Sequence, residues 1–157
     1  MLTAFLFKAL LPMTLSNAVP PTYLIRIAAA LLLGPDGRTL LVRKRGTQAF
    51  MQPGGKIEHG EQPVSALARE LEEELGLRID PAQARYLGQF CAPAANEPGH
   101  VVEAELFELR IDQGVTPAAE IEEVRWIDPA GDGDLCLAPL TRDLILPFYR
   151  ASLSPAG

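Results

Sequence analysis

The sequence predicts an α/β fold, a mixed β-sheet covered on its faces by helices. Three observations carry this. Apolar or alternating stretches of strand length recur between Tyr23 and Ile127. Two stretches, 63–75 and 140–151, carry apolar residues at the helical spacings of three and four. The chain has 157 residues, 48% apolar and 22% charged, which suits one domain around one core. Strands interleaved with helices favour a sheet with helices packed on it.

In chain order, Tyr23–Leu33 is rich in Ile, Leu and Ala and reads as a buried strand. Gly34-Pro35-Asp36-Gly37 is a turn signal, and 39–43 resumes the strand pattern, which makes a hairpin. Residues 46–52 read as a loop, and Pro53-Gly54-Gly55 as a turn. The next helix spans 63–75, with proline in its first turn and Gly76 beyond its end. Its apolar stripe is Val64, Leu67, Ala68, Leu71 and Leu75. Strands follow at 84–90, 100–109 and 120–127, with a two-proline loop at 91–99. The last helix, 140–151, places Leu140, Leu144 and Phe148 at fourfold spacing.

This divides the chain into an extension (1–20), one domain (21–151) and a frayed tail (152–157). The extension is apolar but interrupted by Lys8 and Pro12, and too short to span a bilayer. It lacks the basic start of a secretory signal. Met13 as the biological start, or an apolar arm on the domain or a second subunit, are the other readings. A monomer or homodimer is expected, with no membrane partner. The net charge of −6 argues against an open nucleic-acid face. Two cysteines, Cys91 and Cys136, make neither zinc spacing nor a disulfide framework, which points to a reducing cytoplasm.

The chemistry-bearing stretch is 55–77. Glu70, Glu73 and Glu74 lie at spacings of three and four and share a helix face, while Glu72 points elsewhere. Like charges so placed destabilise a helix unless something neutralises them. Oxygen-only ligands suit a hard cation, Mg²⁺ above all and Mn²⁺ next. The glycine turn lets backbone approach a ligand closely, and Arg43-Lys44-Arg45 offers a phosphate grip.

Gly55, Glu61, Arg69-Glu70-Leu71, Glu73-Glu74 and Gly76-Leu77 stand at the spacings of the Nudix box, and the chain resembles that family at every defining position of it. The continuation Lys56-Ile57-Glu58 looks most like the MutT-type branch. The resemblance implies an α/β/α sandwich with a mixed sheet. It implies Glu70, Glu74 and the Gly55 carbonyl as metal ligands, and Glu73 as a ligand or base. It makes Glu61 and Arg69 a structural ion pair, and Arg45 and Lys56 phosphate contacts. Glu120 and Glu123 are the later candidates for the base. Phe50 and Thr141 are candidate substrate contacts, although packing is an adequate role for Phe50. The implied reaction is hydrolysis of a small nucleoside diphosphate-linked substrate, foremost a nucleoside triphosphate. Pro93, sixteen residues beyond Leu77, has a spacing associated with ADP-ribose pyrophosphatases and keeps ADP-ribose or a nucleotide sugar as the alternative. A nucleotide sensor that binds without cleaving is the reading from another class, and the intact box counts against it.

Overall fold

The computed structural model describes residues 22–131 and 133–155. The expectations for the extension therefore lie outside the described residues. The elements are β1 (Tyr23–Leu33), β2 (Thr39–Lys44), β3 (Phe50–Met51), β4 (Gly54–Lys56), α1 (Pro63–Leu75), β5 (Arg85–Pro93), β6 (His100–Arg110), β7 (Ile121–Ile127), a π-helical segment (Leu140–Ile145) and α2 (Leu146–Leu153).

β1 is the centre. It runs parallel to β6 from Tyr23 opposite His100 to Leu33 opposite Arg110, and antiparallel to β4. A strand covered on both faces should be apolar throughout, and Ala28 to Leu33 are all buried. Their side chains alternate between two cores. Ala28, Ala30 and Leu32 pack with Leu67, Leu71 and Leu75 of α1. Ala29, Leu31 and Leu33 pack with Leu140, Ile145 and Tyr149 at the C-terminus. The result is the α/β/α sandwich with a mixed sheet. No described helix is long and apolar enough to cross a membrane.

The expected hairpin pairs at Leu33 and Thr39, beside its turn. β2 then pairs with β7, while β1 takes β4 and β6 as neighbours. The gap so opened is where β3 and β4 enter. Gly54 makes that entry possible, because its φ is +146° and a Cβ there would lie 2.1 Å from the Ala28 carbonyl oxygen.

Several boundaries differ from expectation. Phe50 and Met51 form a short strand on β2 rather than loop. β5 continues through Cys91 to Pro93, which is opposite Val101. Proline is tolerated there because it ends an edge strand. The last helix opens with a π-turn, in which the Leu146 N–H donates to the Thr141 carbonyl, five residues back. The wider winding shifts the helix phase by one residue. Ile145 and Tyr149 are therefore buried along with Leu140, Leu144 is partly buried against the same core, and Phe148 packs edge-on against Phe90 at its margin. Ser152 and Leu153, assigned to the tail, belong to α2.

Candidate active site

α1 brings part of its glutamate cluster to β4. The spacing Ala66, Glu70, Glu74 defines a face turned toward the sheet, and Ala66 rather than Ala68 is the buried alanine. Glu74 is 2% exposed. Its Oε2 accepts the Gly54 N–H at 3.3 Å. Its Oε1 is buried with no hydrogen-bond partner among the described residues. Burial pushes the Glu74 carboxyl up to about 8, against the opposing pull of the Gly54 N–H and Lys44. Glu70 covers Gly55 so closely that a Cβ at 55 would lie 2.3 Å from its carboxyl carbon. Glu73 is more open: its side chain is 56% exposed, and its carboxylate lies 3.8 Å from Arg69 Nη1, the nitrogen that also donates to Glu70. The three carboxylates expected on one face thus differ in burial, Glu74 being enclosed and Glu73 open to solvent. Glu72 is exposed and pairs with Arg78.

Arg69 ties the turn to the helix. Its Nε and Nη2 donate to the two carboxylate oxygens of Glu61 at 3.0 and 2.9 Å. Nη1 donates to Glu70 at 2.9 Å, and Nη2 also to the Lys56 carbonyl at 3.1 Å. The Arg69 hydrogen bonds, with the Glu58 N–H, hold the Glu61 carboxyl down at about 2.

The basic cluster divides by strand alternation. Leu40 and Val42 face α1, and Lys44 continues that side into the site. Lys44 pairs with Glu120 at 3.1 Å. The loop before β7 is tied to the end of α1 by the Ala118 N–H on the Glu74 carbonyl, so Glu120 lies near Glu74 and adds to its raised pKa. Arg45 is highly exposed and its Nε donates to Glu122, away from the pocket described below. Glu123 is held by Arg125 at 2.6 Å and Arg43 at 3.2 Å, and these two arginines lower its pKa. Neither Arg45 nor Glu123 lines that pocket: Arg45 pairs with Glu122, and Glu123 with Arg43 and Arg125.

Beside Gly54 and Gly55 lies a largely apolar cavity of about 130 Å³. Ile25, Ile27, Met51, Val102 and Leu140 form walls, with Lys44 and Lys56 at the glycine side and Pro93 among the lining residues. Lys56 is exposed and 3.8 Å from Glu97. Phe50 does not line it. Phe50 is 5% exposed and packs with Leu41, Ile127, Leu137 and Leu146, with the Arg43 guanidinium 5.8 Å over its ring. Its expected substrate contact is corrected to packing. Thr141 does line the cavity, but it is fully buried and its hydroxyl donates to Gln52 Oε1 at 2.7 Å. Gln52 is the site residue that the sequence reading passed over, although a lone polar residue between Met51 and Pro53 was a signal for it. Lys44 was read only as one of the basic cluster 43–45, and the period-two alternation of β2 is the signal that singles it out.

Among the described residues, no three Asp, Glu, His or Cys side chains are gathered into a ready-made metal cage. The donor set nevertheless fits a hard divalent cation. Mg²⁺ takes one or two carboxylates and completes its shell with water and substrate phosphates rather than with protein alone. Glu74 Oε1 is an orphaned buried oxygen, and the Gly55 cradle under Glu70 leaves backbone within reach.

A NUDIX domain profile matches residues 23–132. A MutT-like protein of Streptomyces ambofaciens is 34% identical over 111 residues, 70% of this chain and 67% of that protein. A Myxococcus xanthus octanoyltransferase is 38% identical over 116 residues, 71% of this chain but 32% of that protein. An 8-oxo-dGTP diphosphatase of Haemophilus influenzae is 41% identical over 58 residues, 34% of this chain and 43% of that protein. The chain thus spans about a third to two fifths of two of these relatives. The MutT protein of Methanosarcina mazei shares the fold with a TM-score of 0.69 at 21% identity, over 83% of this chain and 96% of that one. The E. coli ORF135 protein gives 0.66 at 26% identity, over 87% and 96%. Members of this family generally use divalent cations. The chain belongs to the Nudix family, on its MutT-like side.

Proposed function

We propose that this chain is a Mg²⁺-dependent pyrophosphohydrolase that cleaves a nucleoside triphosphate to the monophosphate and pyrophosphate. The observation that carries it is Glu70 against Gly55 and Glu74 against Gly54, with both glycines and Lys44 lining an apolar pocket. Glu70, Glu74 and the Gly55 carbonyl would hold the cation. When bound, it withdraws charge from the phosphoryl group and lowers the pKa of an attacking water.

The protein's own groups do the rest. Lys44 and Lys56 present positive charge where the phosphates leave the pocket. The Arg69–Glu61 pair fixes the turn against the helix, so that Gly55 and Glu70 keep their spacing. Glu120, paired with Lys44 and close to Glu74, would take the proton of the attacking water. The water oxygen bonds to phosphorus, the bridging P–O bond breaks, and pyrophosphate leaves with that electron pair. The enclosed cavity is smaller than the roughly 300–1,000 Å³ of pockets that enclose a whole drug-sized ligand. It suits one base, with the phosphates outside it.

The second reading is an ADP-ribose or nucleotide-sugar pyrophosphatase, favoured by Pro93 on the cavity wall. A panel of nucleoside triphosphates, ADP-ribose and nucleotide sugars with Mg²⁺, followed through identified products, tests both. Turnover of ADP-ribose with none of the triphosphates would reverse the order. Binding without turnover of any substrate would make the chain a sensor.

A further inference from the structure

Gln52 carries a hydrogen-bonding group that no described residue satisfies. The residue is 6% exposed and sits on the wall of the cavity. The Thr141 hydroxyl gives its one proton to Gln52 Oε1 at 2.7 Å, which sets the direction of the amide. Nε2 is then buried with no partner among the described residues. A buried donor left unmade is destabilising, and such an atom is a mark of a group awaiting a ligand. Thr141 is itself firmly placed. The segment before it is docked on β3 by the Ala138 N–H on the Phe50 carbonyl, and the π-turn carries Thr141 inward from there.

The neighbouring walls are apolar: Ile25, Ile27, Met51 and Leu140. Apolar walls with one fixed donor orient a flat ring that offers an acceptor. Nucleobases differ at that position. At purine C6 and pyrimidine C4, guanine and uracil or thymine carry a carbonyl, whereas adenine and cytosine carry an amino group. Against an amide N–H the first makes a hydrogen bond and the second sets donor against donor.

We infer that Gln52 is the base-reading residue of this pocket, donating from Nε2 to the exocyclic carbonyl oxygen of a keto base, with Thr141 as the positioning residue that holds the amide in that orientation. This rests on the nucleotide reading of the site above. A site built to hydrogen-bond one group discriminates strongly against an analogue that leaves its polar atom unpaired.

The test ranks GMP, UMP, AMP and CMP by calorimetric binding and the four triphosphates by kcat/KM. It uses the wild type, Gln52→Met and Thr141→Val. Keto over amino preference of about tenfold or more is expected in the wild type by both measures. Gln52→Met should flatten the ratio to about twofold; it removes the unpaired Nε2 together with the Oε1 acceptor of the Thr141 hydroxyl, so a modest fall in melting temperature accompanies it and the base ratio is the deciding readout. Thr141→Val should flatten it in part. Equal treatment of the four bases by the wild type, or an unchanged ratio in Gln52→Met, overturns the assignment. Keto-selective binding without triphosphate turnover would overturn the triphosphatase reading and leave the base reading standing. No binding and no turnover of any of them overturns both.

Discussion

The Gly55 α-carbon lies directly beneath the Glu70 carboxyl group: a Cβ there would be 2.3 Å from Glu70 Cδ and 2.6 Å from each carboxylate oxygen. The glycine is needed for space, since both partners are fixed, one by the β4–β1 pairing and the other by Arg69. Gly55→Ala must therefore move Glu70 off its place. A displacement of about 1 Å at a catalytic group costs on the order of a hundredfold in rate. Turnover should fall by roughly that factor, with about 1–3 kcal/mol of stability lost to overpacking. Steady-state kinetics and a melting curve check both. Undiminished turnover would sever Glu70 from the chemistry.

Glu74 makes stability depend on pH and metal together. Its carboxyl is pushed from 4.5 to about 8 by burial. A carboxyl raised in the folded state favours folding while protonated. Its contribution is complete below pH 4.5 and is lost as pH rises through about 8. The metal-free protein should lose up to about 5 kcal/mol of this contribution across that window. A divalent cation bound at Glu74 favours the ionised form, so Mg²⁺ should raise the melting temperature more at pH 8 than at pH 5. Glu74→Gln should remove the slope, keep the fold and abolish most metal-dependent turnover. Melting curves from pH 5 to 8, with and without Mg²⁺, decide it. A slope unchanged in Glu74→Gln would assign it to another group.

The fold was legible where one period dominated. β1 is a run of small and aliphatic residues with both faces covered, and α1 runs over the expected residues, ending at Gly76 with φ +62°. Through the resemblance to the Nudix box the sequence singled out Gly55, Glu61, Arg69, Glu70 and Glu74, and the structure brings Glu61 to Arg69, Glu70 to Gly55 and Glu74 to Gly54. The site was not legible where tertiary geometry chooses between faces. Glu73 and Glu74 are adjacent in sequence, yet one is 56% exposed in its side chain and the other 2% as a residue. The same holds for Lys44 and Arg45: Lys44 ends β2 at the pocket, and Arg45, in the turn beyond it, pairs with Glu122. The π-turn had no periodic signature, so the burial of Ile145 and Tyr149 could not be read from the fourfold spacing of Leu140, Leu144 and Phe148. Gln52 became visible through Thr141, which lies eighty-nine residues away in sequence.

The general base can be assigned by comparing two glutamates of one segment. Glu120 pairs with Lys44 at the site, and Glu123 is pinned by two arginines. Glu120→Gln should lower kcat by about 10²–10⁴ and remove the acidic limb of its pH profile. Glu123→Gln should leave kcat within about twofold of the wild type, as expected for a surface pair. Equal effects of the two, or none from Glu120→Gln, would return the role to Glu73.

Arg69 tests whether the glutamate pair is positioned by a planar fork or by charge alone. One guanidinium serves both Glu61 oxygens, Glu70 and the Lys56 carbonyl. A lysine ammonium keeps the charge but cannot span these directions. Arg69→Lys should therefore weaken the apparent Mg²⁺ affinity or the turnover by about 10–100-fold, the usual cost of losing a group that orients metal ligands. Circular dichroism should be unchanged. The Glu61 carboxyl, held down at about 2, contributes stability above pH 4.5 that is lost only as pH falls through 2. The defect should accordingly be flat from pH 5 to 9, in contrast to the Glu74 slope. Mg²⁺ titrations of activity at both ends of that range measure it. A defect confined to one end would mean that protonation, rather than the geometry of the fork, sets the position of Glu70.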